Sequence, residues 1–482
     1  MAATCSSSLP ARTMRLRGGR SPAIATLLLT AGCGVSENVL GPEVCPRPAV
    51  SSSSVSAVSG NVLAALVTAS VNGADSAAVR FGPVGAMLGS STPTAPAADP
   101  VTIPIFGLQA ANDYRMQVVA FNDCGSAAGE YLSFSTGQLP DDLPAYVAGG
   151  NDPASGYVVF AAGDYGLVID NTGRVVWYHH FPGGAGLSFQ PQPNGRYTAR
   201  PPPAAGAPAA WVEVDPLGSL TRKLGCARGL PARLHDLLTE PDGSFWVLCD
   251  EIRTVDLSSQ GRSPEERVVG TAVQHIGAAG ELLFEWTTFD NFEIDLRDLD
   301  EADMSGPAIN WTHGNALDLD ADGNLLISFR NLNEITKVDT RTGAVIWRMG
   351  GSRNQFTFED VAAVPFVRQH SVRAVSPGQL LLLDNLGEPG RSRAELYQYD
   401  KGRRTVRLVV AHASSTGVIA GLGGSTQMLS AGHMLVSFGN GGSVEEYDAV
   451  GDLVWRIVGY PGYVFRAQRI RSLYQPGAGD PR

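Results

Sequence analysis

Lysine is nearly absent from this sequence of 482 residues. Only three of its 36 basic side chains are lysines, so arginine is the default cation and a single arginine indicates no function by itself. Charged residues make up just 17% of the chain, and the excess of acids gives a formal net charge of −11. This charge excludes nucleic acid as a general partner, because repulsion by the phosphates would oppose binding.

Motifs that mark several common chemistries are also missing. There is no CxxC pair with the spacing of a zinc site and no glycine-rich phosphate loop, so the sequence predicts neither a bound metal nor a nucleotide cofactor. There is no GxSxG serine elbow, so acyl-transfer hydrolysis lacks a visible nucleophile. The eight histidines are the remaining candidates for catalytic side chains.

Glycine and proline are abundant. The 56 glycines and 31 prolines favour many short strands and tight turns over long helices. The length exceeds what a single hydrophobic core usually fills. We therefore expect an all-β protein of at least two domains.

The N-terminus has the pattern of an export signal. Arginines precede a short apolar stretch that ends in Thr30-Ala31-Gly32-Cys33, so residues 1–32 are predicted to be a lipoprotein signal peptide. Small residues before a cysteine resemble a bacterial lipobox, in which Cys33 is acylated after cleavage. Residues 33–45 would form a tether, and Gly34, in place of an inner-membrane aspartate signal, favours the periplasmic side of the outer membrane.

Four further cysteines belong to the predicted exported part: Cys45, Cys124, Cys226 and Cys249. An exported compartment permits disulfides, and four cysteines allow three pairings. We favour Cys45 with Cys124 and Cys226 with Cys249, because each bond then stays within one domain.

Residues 46–137 show alternating strands that resemble a fibronectin type III module. The resemblance rests on the segment from Leu108 to Tyr114 and on the residues that follow it. In such sandwiches this tyrosine packs at a corner and bonds to the backbone. Residues 140–144 then read as a linker.

Residues 146–475 repeat. A glycine followed four residues later by an aromatic on a strand recurs between Trp177 and Trp455, with a period of about 56 residues. A second unit is a hairpin turn before an apolar strand, as at Asn194-Gly195 and Asp322-Gly323. Four-stranded units that repeat in this way predict a β-propeller of six blades, with seven as the alternative.

One blade carries an insertion between Gly243 and Gly323. It is acidic, with seven carboxylates between Asp290 and Asp303. A calcium site is conceivable, but the spacing matches no EF-hand loop, so a solvated surface loop is favoured.

Three histidines occupy equivalent places in the repeats. His235, His313 and His370 each stand at the start of a strand that leads into a hairpin turn. The innermost strands of a propeller line one central channel, so the three imidazoles are predicted to share a cavity. The other five histidines lie outside this pattern, and we expect structural roles for them.

The residues around these histidines resemble one known family. The segments Trp311-Thr312-His313-Gly314-Asn315-Ala316, Ser328-Phe329-Arg330-Asn331 and Arg368-Gln369-His370 are similar to the signature blades of arylsulfate sulfotransferases. The resemblance covers most of residues 146–475. It implies a six-bladed propeller that moves a sulfuryl group from a phenolic sulfate ester to a phenol without a nucleotide donor.

The resemblance also implies a role for each residue. His370 would be the nucleophile and become transiently sulfated, while His235, His313, Asn315 and Arg330 would hold the sulfate oxygens. Ser425 or Thr426 would add a hydroxyl contact. Two other functions stay open, namely a non-catalytic propeller lipoprotein that binds a ligand or partner and a metalloenzyme that uses the three histidines.

Overall fold

The computed structural model describes residues 45–481, except 360–365 and 461. The predicted signal peptide, the lipidation site Cys33 and nearly all of the predicted tether lie outside the described residues. Within the described part, no helix has both the length and the hydropathy needed to cross a membrane. Residues 47–482 form one compact unit.

The first part of this unit consists of two small antiparallel sheets. Strands β1, β2 and β6 form one sheet, and β4, β3, β7 and β8 form the other, with β5 paired to β3. The strands are β1 (Ala49–Val58), β2 (Asn61–Asn72), β3 (Ser76–Pro83), β4 (Ser90–Ser91), β5 (Ala95–Pro96), β6 (Val101–Ile105), β7 (Asp113–Asn122) and β8 (Gly125–Ser135).

Buried apolar side chains of β2, β3, β6 and β7 form the core between the two sheets. Tyr114 is buried, and its hydroxyl accepts a hydrogen bond from the backbone N–H of Gln109 at 2.8 Å. This is the backbone contact expected of the tyrosine. The assignment to the fibronectin type III family stays a prediction.

The remaining strands form the larger part of the chain. They are β9 (Val147–Gly150), β10 (Tyr157–Ala162), β11 (Tyr165–Ile169), β12 (Val175–His180), β13 (Phe189–Pro191), β14 (Tyr197–Ala199), β15 (Trp211–Val214), β16 (Leu220–Leu224), β17 (Ala232–Thr239), β18 (Phe245–Val255), β19 (Glu266–Ile276), β20 (Leu282–Thr287), β21 (Ile309–Asn310), β22 (Gly314–Leu319), β23 (Leu325–Phe329), β24 (Glu334–Val338), β25 (Val345–Gly350), β26 (Thr357–Phe358), β27 (His370–Ser376), β28 (Gln379–Glu388), β29 (Arg391–Asp400), β30 (Thr405–Ala413), β31 (Ser425–Met428), β32 (Met434–Ser437), β33 (Val444–Tyr447), β34 (Leu453–Val458) and β35 (Ala467–Ile470). Two short helices, α1 (Thr288–Asn291) and α2 (Glu301–Met304), precede β21.

These strands form six sheets of four or five strands, and the predicted six-bladed propeller is confirmed. Blades 2 to 5 are consecutive antiparallel meanders that start at β13, β17, β22 and β27, and blade 6 starts at β31. Blade 1 takes its innermost strand from the C-terminal end of the chain, because β35 pairs with β10 from Tyr157–Ile470 to Phe160–Ala467. Blade 6 gains β9 as an extra outer strand.

The glycine–aromatic repeat marks the fourth strand of a blade, counted from the axis, and links it to the next blade. Trp177 and Trp455 are 1% exposed. The copy at Gly280 predicts Phe284 in this role, but Phe284 is only half-buried, and Trp286, two residues further on the same strand, takes its place. Three indole nitrogens donate to carbonyl oxygens of the following blade: Trp177 to Pro216 at 2.8 Å, Trp286 to Gly343 at 3.1 Å and Trp455 to Asn171 at 2.8 Å.

The predicted hairpin turns connect the first and second strands of their blades. Gly243 joins β17 to β18 and Gly323 joins β22 to β23. Their φ angles are +89° and +75°, in the region that favours glycine. The sequence pattern therefore located the start of each meander.

Two disulfide-related predictions concern the described residues. Cys226 and Cys249 form a disulfide in blade 3, which is the pairing that the sequence favours. Cys45 and Cys124 are each disulfide-bonded as well.

The N-terminal sheets contact the propeller at blade 1. The amide nitrogen of Asn61 donates to the carbonyl oxygen of Tyr178 at 3.1 Å, and the hydroxyl of Tyr178 accepts from the N–H of Val62 at 3.2 Å. Leu63, Ala64 and Phe106 add buried apolar contacts to the blade 1 cores. The two parts therefore share a packed interface.

Candidate functional site at the propeller hub

The three predicted histidines lie at the innermost strands of successive blades. His235 is on β17, His313 immediately precedes β22, and His370 begins β27. The pairing of each strand with its neighbour shifts register beside the histidine, between Ala232 and Leu237 in the case of β17. Such irregularities turn a side chain away from the regular sheet faces, and here they accompany imidazoles that point toward the axis.

The structure brings the three imidazoles together. The Nε2 atoms of His235 and His313 are 3.3 Å apart, and their ring centroids are 4.9 Å apart. The ring centroids of His235 and His370 are 6.2 Å apart. Because two Nε2 atoms at this distance share one hydrogen, one ring donates and the other accepts.

Nδ1 of His370 contacts two oxygen acceptors. One is the carbonyl oxygen of Arg368 at 3.0 Å, and the other is Oδ1 of Asn385 at 2.8 Å. The side chain of His370 is 2% exposed and that of Asn385 is fully buried. Nε2 is therefore the nitrogen of the His370 ring that these two acceptors do not engage.

Burial keeps these imidazoles neutral near pH 7. The pKa of His370 is lowered to about 4: removal from water is the largest cause, the hydrogen bond to Asn385 opposes it, and the charge of Arg330 adds to it. Burial also lowers the pKa of His235 and of His313 well below the usual range, with Arg233 as the next largest cause in both cases. A neutral imidazole can act as a nucleophile or exchange a proton with a substrate.

Arg330 is the predicted cation of the site, and it is not part of a surface ion pair. Its side chain is 13% exposed, and its recorded carboxylate neighbour is Asp303, 3.9 Å from Nη1. Nη1 donates to Oδ1 of Asn331 at 2.9 Å, and Nε is buried without a partner. Burial and the neighbouring Arg368 both lower the pKa of this guanidinium, so Arg330 lies in a desolvated, cationic environment.

The acidic insertion differs from the expected solvated loop. Asp303, on α2, is buried and accepts from Nη2 of Arg368 at 2.7 Å, and the more exposed Asp300 contacts the same nitrogen. Arg368 has a φ of +58° and a buried guanidinium, and it therefore needs a counter-charge that the insertion supplies. Part of the insertion is thus a wall of the site, and the surface-loop prediction is wrong for Asp303.

Asn315 lies beside the histidines, on β22, and is fully buried. Its amide nitrogen donates to the carbonyl oxygen of Gln369 at 2.7 Å, while its Oδ1 has no hydrogen-bond partner. Asn315 thus connects blade 4 to the residue before His370. Its role in binding substrate stays a prediction.

Residues that close the propeller complete the surroundings of the rings. Phe465 lies edge-on to His235 and His370, with ring centroids 5.6 and 6.2 Å away. Ser425 and Thr426 are buried on β31, and Oγ1 of Thr426 has no partner. Phe465 therefore gives the site an apolar surface, whereas Arg330 gives it a charged one.

A buried charged layer fills the axis next to the histidines. Asp236 lies 3.0 Å from Nη1 of Arg373 and 3.4 Å from Nη2 of Arg466. Asp236 therefore faces away from the His235 ring, as strand alternation predicts. Residues of this layer and of neighbouring inner strands line a cavity of about 20 Å³.

The other histidines lie in the outer parts of blades, where structural roles are expected. His275 stacks on Trp246 with ring centroids 4.3 Å apart, and His412 stacks on Tyr447 at 4.8 Å. His433 lies 2.9 Å from Glu446. His180 is exposed and His179 packs near Phe181.

No group of three or more His, Cys, Asp or Glu side chains in the described part of the chain has an arrangement that would hold a metal ion. The Nε2 atoms of His235 and His313 are hydrogen-bonded to each other, so these two nitrogens are already engaged. In the acidic insertion, the carboxylate of Asp303 likewise accepts a hydrogen bond from Arg368.

The sequence patterns predict no site role for four residues that lie near the histidines: Asn385, Arg368, Asp303 and Phe465. Arg368 lies within a segment that carries the family resemblance, so its proximity to His370 was a detectable signal. Asn385 lies one strand away, on β28. Asp303 belongs to an insertion and Phe465 to the connection before the closing strand. Neither has a repeat position that would have singled it out.

The fold and the site define a class of protein, a six-bladed β-propeller with imidazoles and a guanidinium gathered at its hub. Within it, residues 231–460 match the family model described as arylsulfotransferase (ASST). Over these residues the chain is similar to the arylsulfotransferase family. The matched segment contains all five predicted site residues of the hub. No curated protein matches the sequence.

Several solved structures resemble the chain weakly. A protein of unknown function from Bacteroides caccae is 13% identical, with 66% of this chain and 100% of that chain covered and a TM-score of 0.43. Another from Bacteroides thetaiotaomicron VPI-5482 is 13% identical, with coverages of 87% and 99% and a TM-score of 0.33. A virginiamycin B lyase from Staphylococcus aureus is 9% identical, with coverages of 66% and 89% and a TM-score of 0.34. At these scores the likeness carries no argument about function.

The depressed pKa of His370 predicts a pH-dependent stability. Between pH 6.5 and about 4 the unfolded chain binds a proton at this position and the folded chain does not, so the stabilisation is complete above pH 6.5 and is lost as the pH falls. From pH 7 to pH 5 the wild-type protein should lose about 2 kcal/mol more of its unfolding free energy than His370→Asn. Urea unfolding at both pH values measures this difference. His180→Asn, at an exposed histidine, should behave like the wild type, and an equal loss in His370→Asn would contradict the assigned burial effect.

Proposed function

We propose that this protein transfers a sulfuryl group from a phenolic sulfate ester to a phenol, through a sulfohistidine intermediate and without a nucleotide donor. The observation that carries the proposal is the convergence of His235, His313, His370 and Arg330 at the hub of a propeller that matches the arylsulfotransferase family. A neutral nucleophile next to a desolvated cation suits attack on an anionic ester.

In the first step Nε2 of His370 attacks the sulfur of the donor. The bond between sulfur and Nε2 forms, the bond between sulfur and the aryl oxygen breaks, and the phenolate leaves with the electron pair. A ring N–H of the neutral His235 or His313 donates a hydrogen bond to this phenolate, which takes its proton from solvent after it leaves. Arg330 stabilises the negative charge on the equatorial oxygens, as positioned cations do in phosphoryl transfer.

In the second step the oxygen of the acceptor phenol attacks the same sulfur. Its proton passes to the neutral imidazole of His235 or His313, which then releases it to solvent, and the electron pair of the breaking bond returns to Nε2. The site is thereby restored to its starting protonation state. Asn315 and a hydroxyl of Ser425 or Thr426 would contribute to holding the sulfate oxygens.

We further propose that the mature protein begins at Cys33 and is anchored by its lipid at the periplasmic face of a bacterial membrane, in the outer membrane. The lipobox-like sequence and the four cysteines of the exported part support this location. Small phenolic compounds would then reach the hub without entering the cytoplasm.

Replacement of the nucleophile tests the chemistry. His370→Ala should abolish transfer from a chromogenic aryl sulfate to phenol, because the proposed covalent intermediate forms on Nε2 of His370. Phenolate release and sulfated product are both measured. His180→Ala serves as the control, and equal product from His370→Ala and wild type would defeat the assignment. Metal content of the purified protein, with loss of activity on chelation, would instead favour the metalloenzyme.

Removal of the guanidinium tests electrostatic stabilisation. Arg330→Ala should lower kcat by about 10²–10³, which is the usual effect of losing one donor to a developing charge. Thermal unfolding should show that the variant folds. Arg403→Ala, at an exposed arginine, is the matched control. An Arg330→Ala enzyme with unchanged kcat would remove Arg330 from the site.

The anchor has its own test. In a bacterial host Cys33→Ser should abolish incorporation of labelled fatty acid and release the protein from the membrane fraction, because the acylated thiol is lost. Cys5→Ser should leave both unchanged. Continued labelling of the Cys33→Ser protein would exclude Cys33 as the lipidated residue.

A further inference from the structure

Asn385 is a buried amide that contacts the proposed nucleophile. It lies on β28, the strand next to β27, and its side chain is fully buried. Oδ1 of Asn385 lies 2.8 Å from Nδ1 of His370. The resemblance drawn from the sequence gives this residue no role.

The orientation of the Asn385 amide is fixed by its nitrogen. Nδ2 donates to the carbonyl oxygens of Ala420 at 2.6 Å and of Gly423 at 2.8 Å. Carbonyl oxygens only accept hydrogen bonds, so the amide nitrogen has to face them and Oδ1 has to face the imidazole. If the amide were rotated by 180°, Oδ1 would face the carbonyl oxygens of Ala420 and Gly423, and neither contact would contain a hydrogen-bond donor.

The loop that supplies these carbonyls is tied to the same blade. The hydroxyl of Ser392 donates to the backbone oxygen of Asn385 at 2.7 Å and accepts from the N–H of Ala420 at 2.8 Å. Asn385, Ser392 and Ala420 are all buried. The amide is therefore held by a closed set of hydrogen bonds.

We propose that Asn385 is a positioning residue that sets the tautomer of His370. Nδ1 of the ring faces two acceptors, Oδ1 of Asn385 and the carbonyl oxygen of Arg368, so this nitrogen has to carry the hydrogen. A neutral imidazole has one such hydrogen, and Nε2 therefore keeps its lone pair for the substrate.

The role rests on the proposed function and extends it to both steps. When the bond between sulfur and Nε2 forms, the ring becomes positively charged while Nδ1 retains its hydrogen. Two oxygen acceptors at Nδ1 stabilise that charge. When the bond breaks, the ring leaves as the neutral Nδ1–H tautomer, ready for the next cycle.

An amide suits this position better than a carboxylate. An aspartate would place a second charge in a desolvated site and favour the protonated imidazole, which has no lone pair at Nε2. Asn385→Asp should therefore lose activity at pH values where the wild type is active, and recover part of it as the pH rises. Asn385→Ala has no such acceptor and should be impaired at every pH.

The direct test is the ¹⁵N NMR spectrum of the His370 ring in the intact protein at pH 7. We expect protonated Nδ1 and unprotonated Nε2 in the wild type, and a mixture of tautomers in Asn385→Ala. In the assay, kcat of Asn385→Ala should fall about 10- to 100-fold, as for other residues that orient an imidazole, with KM changed less than about twofold. A wild-type ring protonated at Nε2 would overturn the proposal.

The matched control is Asn440→Ala. Asn440 accepts from the N–H of Leu422 at 3.0 Å, so this change loosens the same loop without touching His370. An equal fall in kcat and an equal tautomer change in both variants would assign Asn385 a merely structural role and overturn the proposal. If Asn385→Ala does not fold, the pH profile of Asn385→Asp and the wild-type spectrum decide.

The experiments distinguish a failure of the role of Asn385 from a failure of the proposed function. Full activity of His370→Ala would end the sulfohistidine mechanism, whatever the tautomer of His370. A wild-type tautomer other than the expected one would end the role of Asn385, with the nucleophile unaffected.

Discussion

The pairing of β35 with β10 is the interaction on which the site depends. It joins the C-terminal end of the chain to the first blade and closes the ring of six sheets. Only a closed ring brings the inner strands of blades 3, 4 and 5 to a common axis, because each blade fixes the radial position of the next. The indole hydrogen bonds of Trp177, Trp286 and Trp455 reinforce these blade-to-blade contacts at the rim. Positions separated by more than 130 residues, such as His235 and His370, thereby become neighbours.

Closure also determines the electrostatics of the hub. Beside the histidines lies the buried charged layer of Asp236, Arg373 and Arg466, in which one carboxylate contacts two cations. Burial, together with the positive charges of Arg330 and Arg466, favours neutral imidazoles, as the depressed pKa of His370 indicates. A group that would ordinarily be partly protonated near pH 6.5 is therefore available as a nucleophile in the folded protein.

The sequence predicted those parts of the molecule that repeat. Glycine turns, outer-strand aromatics and the three histidines recur at a regular spacing, and each reflects a constraint that every blade has to satisfy. Residues that occur once were not predictable in this way. Asp303 reaches the site from an insertion and Asn385 from a second strand, and their contacts depend on side-chain orientations that periodicity does not encode. The wrong expectation for Asp303 has the same origin, since an acidic segment looks solvated unless the buried arginine it neutralises is known.

The arrangement of Arg330 and Arg368 shows how one guanidinium stays available for an anion. Asp303 lies 2.7 Å from Arg368 but 3.9 Å from Arg330, so the carboxylate is committed to the former. Asn331 accepts from both arginines and holds them side by side. Arg330 is thus fixed in position by a neutral oxygen and not by a carboxylate, and its Nε remains without a partner. Because a buried cation that lacks full compensation gains most from an added anion, Arg330 is the group of this pair that is better suited to bind one. The acidic insertion therefore contributes to the site by neutralising Arg368, the neighbour of Arg330.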